Sequence, residues 1–444
     1  MSKNETIIAI STANGNAAIG VIRVSGPEVP NILKAYFPKT KPRFARYTKI
    51  KDGHGNIIDD AIVIFFESPA SYTGEDMLEI HMHGNHKLLE TFQNILCEKY
   101  TRLATPGEFT ERAFLNNKID LVQAEAVMDI VNSSSINSSI AAQRSLQGKF
   151  SEQIVDIKNE LLGLRVTIES SINFPEDETP DLLYEQTNKI LLGLIEKMKT
   201  IITRVKYGLK LTNNKSISIL GKPNVGKSSL SNCLLGENCS IVSDSPGTTR
   251  DLLKNDFAVG GNVVTLFDTA GLRKSRDKIE SKGIELSKKA SQNSDLVLYL
   301  VDDTQGLDDV DKNFIEEQHA ECWIIRNKID LSDSKPKIQT DTTHKTFYIS
   351  ITQNLGLELL VNELSNITNL PIDANITTAR ERHVDLVRDS LKHLYNSKEY
   401  NDNHQIDLAA EELRLSHLSL ENILGGNVTE DLLDKIFSDF CIGK

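Results

Sequence analysis

The segment Gly221-Lys222-Pro223-Asn224-Val225-Gly226-Lys227-Ser228 has the chemistry of a phosphate cradle. Its glycines let backbone N–H groups turn toward phosphate oxygens. The apolar SISILG before it and SLSNCLLG after it predict a strand and a helix, whose N-terminus adds a positive dipole end. In this context Lys227 is expected to reach the β- and γ-phosphates and Ser228 to ligate magnesium. Gly247-Thr248-Thr249-Arg250-Asp251 follows with the composition of a switch loop, in which Thr249 offers a second magnesium ligand. The strand VVTLFD ends in Asp268-Thr269-Ala270-Gly271, where Asp268 would hold magnesium through water and the Gly271 N–H would meet the γ-phosphate. The strand CWII leads to Asn327-Lys328-Ile329-Asp330. The Asp330 carboxylate can accept from guanine N1–H and the 2-amino group, and adenine offers neither donor. Ser350-Ile351-Thr352, after TFYIS, is a weaker fifth element. Four motifs in this order specify GTP.

Two departures bear on mechanism. Ras-like enzymes carry a water-orienting Gln directly after the D-x-x-G glycine. Here that position is Leu272, so another group must handle the water, and ESKGIE presents Glu280 and Glu285 as candidates against a bland reading as helix-surface carboxylates. Asn224 sits inside the phosphate loop. With carbonyls from the stretch 243–248 its oxygen could cage a monovalent cation, supplying the charge that an arginine finger supplies elsewhere. His81, His83 and His86 lack an obvious carboxylate or thiol to complete a metal shell and read as core or pocket histidines. Cys441 stands four from the end, in Cys-Ile-Gly-Lys, which is no prenylation signal; it is a reactive thiol or inert.

The elements that must position these residues follow from periodicity. Residues 1–118 read as α/β: TIIAIST, AAIGVIRVSG, IIDDAIVIFF and MLEIHMHG are strand-like, and HKLLETFQNILCEKY places Leu88, Leu89, Phe92, Ile95 and Leu96 on one helical face. Residues 119–213 read as helical, in stretches over 139–174 and 182–211, with Ser133-Ser134-Ser135 taken as small packing residues within a helix. Residues 214–370 alternate strands and helices, and 371–444 are helical again. In this last part Gly425-Gly426-Asn427 ends one helix and Thr429 caps the next. Helical sequence thus brackets the nucleotide segment, and the simplest packing is one helical domain built from both flanks with the α/β domain inserted.

The chain has 444 residues, room for about three domains at roughly 150 residues each. A net charge of −12 excludes a general nucleic-acid binder and leaves only a local basic patch. Lys39, Lys41, Arg43, Arg46, Lys49 and Lys51, interleaved with Phe44 and Tyr47, form one such patch, which reads as a solvated strand-flanking loop. The cysteines Cys97, Cys233, Cys239, Cys322 and Cys441 include no Cys-x-x-Cys pair, and this fits a reducing compartment. The N-terminus is not signal-like, and no apolar run reaches the roughly 18 residues of a membrane span. A cytoplasmic protein is expected.

IGVIRVSG, SYTGEDMLEIHMHG, TPGEFTERAFLNNKIDLVQAEAV, GKPNVGKSSL, GTTRD, DTAGLR and the ending FCIGK together resemble the MnmE (TrmE) family of tRNA modification GTPases over nearly the whole chain. The resemblance implies a multidomain architecture: an α/β folate-binding N-terminal domain that dimerises, a discontinuous all-α helical domain, and an inserted α/β P-loop (Ras-like) G domain. It also implies a function. With the flavoprotein MnmG the homodimer would modify C5 of the wobble uridine of certain tRNAs with a tetrahydrofolate one-carbon unit, GTP hydrolysis driving a potassium-stimulated conformational cycle. The implied nucleotide contacts are Asn224, Val225, Gly226, Lys227, Ser228, Ser229, Ser243, Asp244, Ser245, Pro246, Gly247, Thr248, Thr249, Asp268, Thr269, Ala270, Gly271, Asn327, Lys328, Asp330 and Ser350. Magnesium would be held at Ser228 and Thr249, and potassium at Asn224, Ser243, Ser245 and Thr248. Glu280 matches the catalytic glutamate, Cys441 the cysteine near the folate pocket, and Arg23, Glu79, Lys118 and Lys444 the pocket itself. Asn85 stands where a second glycine is usual, and Ser245 where an apolar residue is common. The rival reading is a ribosome-assembly GTPase acting as an RNA-binding switch, which would share the G-domain motifs but should add an RNA module; no Gly-x-x-Gly of a KH domain occurs.

Overall fold

The computed structural model describes residues 5–13, 15–52, 54–133, 135–173, 180–212, 215–236, 253–259, 262–268, 294–318, 320–341, 344–368 and 376–443. They pack as two compact units. The first comprises Met1–Met128, Ser145–Ile202 and Arg382–Lys444, and the second Asp129–Arg144 and Thr203–Glu381. The chain is therefore multidomain, with an α/β N-terminal part, a helical part and a P-loop α/β part.

In the first unit, β1 (Ile7–Ile10), β2 (Ala17–Ser25), β3 (Arg46–Lys51), β4 (Ile57–Phe66), β5 (Met77–Gly84) and β6 (Arg102–Leu103) form one sheet in the order β3-β4-β5-β2-β1-β6. The period-two pattern of a half-covered sheet decides what faces the core. Ile22, Val24, Val63, Ile80 and Met82 pack with Val29 and Ile32 of the helix Val29–Tyr36 and with Leu89, Phe92 and Leu96 of the helix His86–Cys97. Asn85 caps the latter through its side chain, which accepts from the Lys87 N–H. On β2 the alternate position Arg23 lies in register with Glu79 of β5 and Ala9 of β1.

The helical residues of this unit centre on the long helix Lys149–Asn173, which packs against the helix Ile406–Leu424. Glu125 is buried and meets two side chains at the start of the helix Glu381–Asp402: Arg382 at 3.1 Å and His383 at 2.8 Å. Arg382 also donates to the terminal carbonyls of Asn422 and Ile423, where a cation is favoured by the helix dipole. Gly425 ends that helix at φ +94°, and Thr429 precedes the helix Glu430–Ser438 without a cap bond from its hydroxyl.

Two helical expectations need correction. The serines at 133 and 135 do not lie inside a helix; they separate Leu121–Asn132 from Ile136–Leu146. The Ser135 Oγ accepts the Ser138 N–H at 3.0 Å and the Ser138 Oγ accepts the Ser135 N–H at 3.3 Å. Such hydroxyl-to-backbone bonds favour a helix start over a helix interior. The stretch 139–174 is likewise two helices, broken at Gly148 with φ +84°.

In the second unit, β7 (Lys215–Gly221), β8 (Leu253–Val259), β9 (Asn262–Asp268), β10 (Leu296–Asp302), β11 (Glu321–Asn327), β12 (Lys337–Thr340) and β13 (Lys345–Tyr348) form a sheet in the order β12-β13-β11-β10-β7-β9-β8. The five inner strands run parallel, and β8 and β12 pair antiparallel at the edges. Both faces of β10 are buried, Leu298 and Leu300 on one core with Trp323 and Phe347, and Val297, Tyr299 and Val301 on another with Ile315. That explains why a parallel strand reads as an unbroken apolar run, LVLYLV. The registers Gly221↔Leu300 and Asp302↔Asn327 bring the carboxyl ends of three neighbouring strands to one edge, where ligands bind open α/β sheets.

Candidate nucleotide-binding site

β7 runs into the phosphate loop, and the helix Lys227–Leu235 follows it. Two backbone positions demand their residues. Gly221 has φ +136° and lies against the Leu300 carbonyl, so any side chain there would collide with β10. Gly226 has φ +106° and would drive a side chain into the Asn327 amide. Asn224 adopts φ +64°, a left-handed conformation that Asn tolerates better than most residues. The Lys227 ammonium donates to the carbonyls of Gly221 at 2.7 Å and Lys222 at 2.5 Å. Ser228 and Ser229 occupy the first turn of the helix.

Asn327 joins the loop to the base-reading segment. It is 3% exposed. Its Nδ2 donates to the Val225 carbonyl at 2.9 Å, and its Oδ1 accepts from the Ile351 N–H at 3.1 Å. Ser350 is fully buried, and its Oγ accepts from the Gln353 N–H at 3.2 Å. Lys328 takes φ +67°, which starts the short 3-10 turn Ile329–Leu331 and leaves Asp330 exposed on it. Phosphate loop, Asn327 and the 350 loop are thus one hydrogen-bonded assembly. Asp268 ends β9, the parallel neighbour of β7. The other expected nucleotide and metal contacts, Ser243, Asp244, Ser245, Pro246, Gly247, Thr248, Thr249, Thr269, Ala270 and Gly271, lie outside the described residues, as do Glu280 and Glu285.

Residue spacing did not disclose the carboxylates that hold the two lysines beside this assembly. Asp302, at the end of β10, pairs with the Lys328 ammonium at 2.6 Å. Burial pushes the Asp302 carboxyl up, but Lys328 and the Thr304 hydroxyl outweigh it and hold the group below the usual carboxylate range. Lys222 reaches Asp308 at 2.5 Å and Asp311 at 2.9 Å. The Lys222 ammonium holds Asp308 at about 2, and both carboxylates raise Lys222. The available signal was two acidic clusters, Asp302-Asp303 and Asp308-Asp309-Val310-Asp311, placed just beyond an apolar strand.

The description "MnmE helical domain" matches residues 121–441, and "GTP-binding protein TrmE N-terminus" matches residues 6–118. The chain is 39% identical to a tRNA modification GTPase MnmE of Coxiella burnetii over 449 aligned positions, covering 99% of both. The chain belongs to the MnmE family. It is also 35% identical to the MnmE of Hydrogenovibrio crunogenus, covering 100% of this chain and 99% of that one. Its overlay on the G domain of the T. maritima FeoB iron transporter has a TM-score of 0.25 at 20% identity, covering 35% of this chain and 99% of that chain.

Of the pocket residues that MnmE resemblance marks in the first unit, Arg23 and Glu79 meet across β2 and β5 at 2.8 Å. The Arg23 guanidinium also lies 5.6 Å from the Tyr72 ring and 5.8 Å from the Phe109 ring. Lys118 is separately held, its ammonium donating to the Pro69 carbonyl at 2.9 Å. The loop between β4 and β5 therefore supplies a partner to both cations. The C-terminal tail reaches the same sheet: the Ser11 Oγ, just past β1, donates to the Gly443 carbonyl at 3.1 Å. Phe440 beside the tail is buried, whereas Cys441 is exposed; Lys444 lies outside the described residues.

The three histidines diverge to separate acids. His83 meets Asp59 at 2.6 Å, His86 meets Glu90 at 3.1 Å, and His81 stands 3.5 Å from Glu79. The Asp59 hydrogen bond raises His83. In the basic patch Arg43 donates to the Ala70 carbonyl and Arg46 to the Phe37 and Pro38 carbonyls, so two of its cations serve the backbone. Among the described residues no helix is long and apolar enough to cross a membrane.

Proposed function

We propose that the chain is a GTP hydrolase that takes part in tRNA modification. The observation that carries this reading is Asn327, which ties the phosphate loop to the base-reading loop in a chain of the MnmE family. Gly226, Lys227 and the start of the helix Lys227–Leu235 supply donors for phosphate, and Asp330 accepts from the two donors that guanine has and adenine lacks. Ser228 and Thr249 would hold magnesium, which would supply positive charge to the phosphates. Asn224, Ser243, Ser245 and Thr248 hold potassium, and Glu280 orients the attacking water in place of the absent glutamine.

In the finer reading the protein is a cytoplasmic homodimer that works with the flavoprotein MnmG on C5 of the wobble uridine. Arg23, Glu79, Lys118 and Lys444 hold a tetrahydrofolate derivative, and Cys441 acts beside its one-carbon unit. The domains run over 1–118 (folate-binding and dimerising), 119–213 and 371–444 (helical) and 214–370 (G domain). The placement of Arg23 against Glu79, and of the tail against Ser11 on the same sheet, supports a shared site there. Titration of the purified chain with GTP and ATP, with phosphate release followed in parallel, tests the first claim. Saturable, hydrolysed GTP with no competition from ATP is expected; equal affinity for the two nucleotides would overturn it.

A further inference from the structure

We propose that Lys222, Asp308 and Asp311 form a brace on the outer side of the phosphate loop that sets how long a nucleotide stays bound. The inference rests on the reading of that loop as a nucleotide site.

Lys222 is the second residue of the loop, and its two partners lie 86 and 89 residues further along the chain. Asp308 caps the helix Asp309–Glu316 by a reciprocal box: its Oδ1 accepts the Asp311 N–H at 2.9 Å, and the Asp311 Oδ2 accepts the Asp308 N–H at 3.2 Å. Asp311 is 2% exposed and its Oδ1 accepts from the Tyr299 hydroxyl at 2.7 Å. The cap is complete without Lys222. The Asp308 Oδ2, which the cap does not use, and the Asp311 Oδ2, which the cap shares, both accept from the Lys222 ammonium.

The grip falls where it matters for phosphate. The Lys222 and Gly221 carbonyls are the two acceptors of the Lys227 ammonium. The Lys222 side chain is thus anchored to the scaffold while its backbone holds the phosphate-binding lysine. On the inner side, Gly221 is already pressed against Leu300. A cavity of about 90 Å³ opens beside the brace, lined by Lys222, Val225, Leu300, Asp302, Asp308 and Asp311. With that space beside it, the first turn of the loop depends on the brace to keep its place. Releasing Lys222 would let residues 222–224 shift and loosen every contact that the following amides make to phosphate.

The sign of one substitution separates a brace from simple electrostatics. Asp308→Asn keeps an N-cap side chain but removes a negative charge that touches the phosphate loop through Lys222. By charge alone it would slow the release of an anionic nucleotide; a lost brace would speed it. In stopped-flow dissociation of mant-GDP from the full-length chain, Asp308→Asn and Lys222→Met are each expected to accelerate release about twofold to fivefold, the scale of a partly exposed ion pair. The double variant should release no faster than the faster single one, because both remove the same interaction. Lys222→Arg should stay near the wild-type rate. Slower or unchanged release in Asp308→Asn, or effects that multiply in the double variant, would overturn the brace. A wild-type chain that retains no mant-GDP would overturn the nucleotide reading and the brace with it, whereas tight wild-type binding with unchanged variants would overturn the brace alone.

Discussion

Replacing Asn327 by alanine removes two hydrogen bonds at once, to the Val225 carbonyl and from the Ile351 N–H. Both partners belong to a site where Asn327 itself is almost wholly buried. A buried polar group left unsatisfied costs roughly 1–3 kcal/mol. Partial relief by water brings the two together to about 2–4 kcal/mol. Because the bonds join the phosphate loop to the loop at 350, their loss should appear in nucleotide affinity and not only in stability. At about 1.4 kcal/mol per tenfold, a loss of at least about 30-fold in GTP affinity is expected. Equilibrium titration with a fluorescent GTP analogue measures it, and a thermal melt run alongside reports the share that falls on the fold. Affinity within threefold of wild type, with the melt unchanged, would refute the claim that Asn327 couples the two halves of the site.

Asp330→Asn should shift preference from guanine toward xanthine nucleotides, since the amide presents a donor where guanine needs an acceptor; unchanged GTP affinity in a titration would count against that role. Glu280→Ala should keep nucleotide binding but slow hydrolysis at least ~10²-fold, the scale of a water-orienting or general-base group, while Glu285→Ala should be mild; near-normal single-turnover rates for Glu280→Ala would remove it from the mechanism. Hydrolysis should run faster in potassium than in sodium at matched ionic strength, and Asn224→Ala should abolish the difference. Equal wild-type rates in the two salts would dispose of the cation site.

The parts of the fold that were legible in the sequence are those set by local rules. The Gly-x-x-x-x-Gly-Lys-Ser loop announces itself because two left-handed glycines must bracket a strand-to-helix turn, and Gly221 and Gly226 do so at φ +136° and +106°. Apolar composition likewise foretold the strand β2, while Arg23 on it was marked by the family resemblance alone. The run of serines at 133–135 misled because small residues suit both helix packing and helix starts, and only the reciprocal Ser135–Ser138 bonds decide between them. Asp302, Asp308 and Asp311 were invisible for a different reason. Their meaning depends on strand register, which sets β10 between β7 and β11 and brings the acids to lysines 26 to 89 residues away in sequence. No local pattern encodes such a meeting.

The central claim, a GTPase that modifies tRNA, is tested most directly by mass spectrometry of the wobble uridine in a bacterial strain lacking its own family member and supplied with this chain. The wild-type chain should restore the C5 modification. Cys441→Ser should hydrolyse GTP at the wild-type rate yet leave the uridine bare, because the exposed tail thiol stands apart from the nucleotide site in sequence and chemistry. Full restoration by Cys441→Ser would make the thiol structural and remove it from the chemistry. A wild-type chain that is expressed, hydrolyses GTP and leaves the uridine unmodified would contradict the account itself.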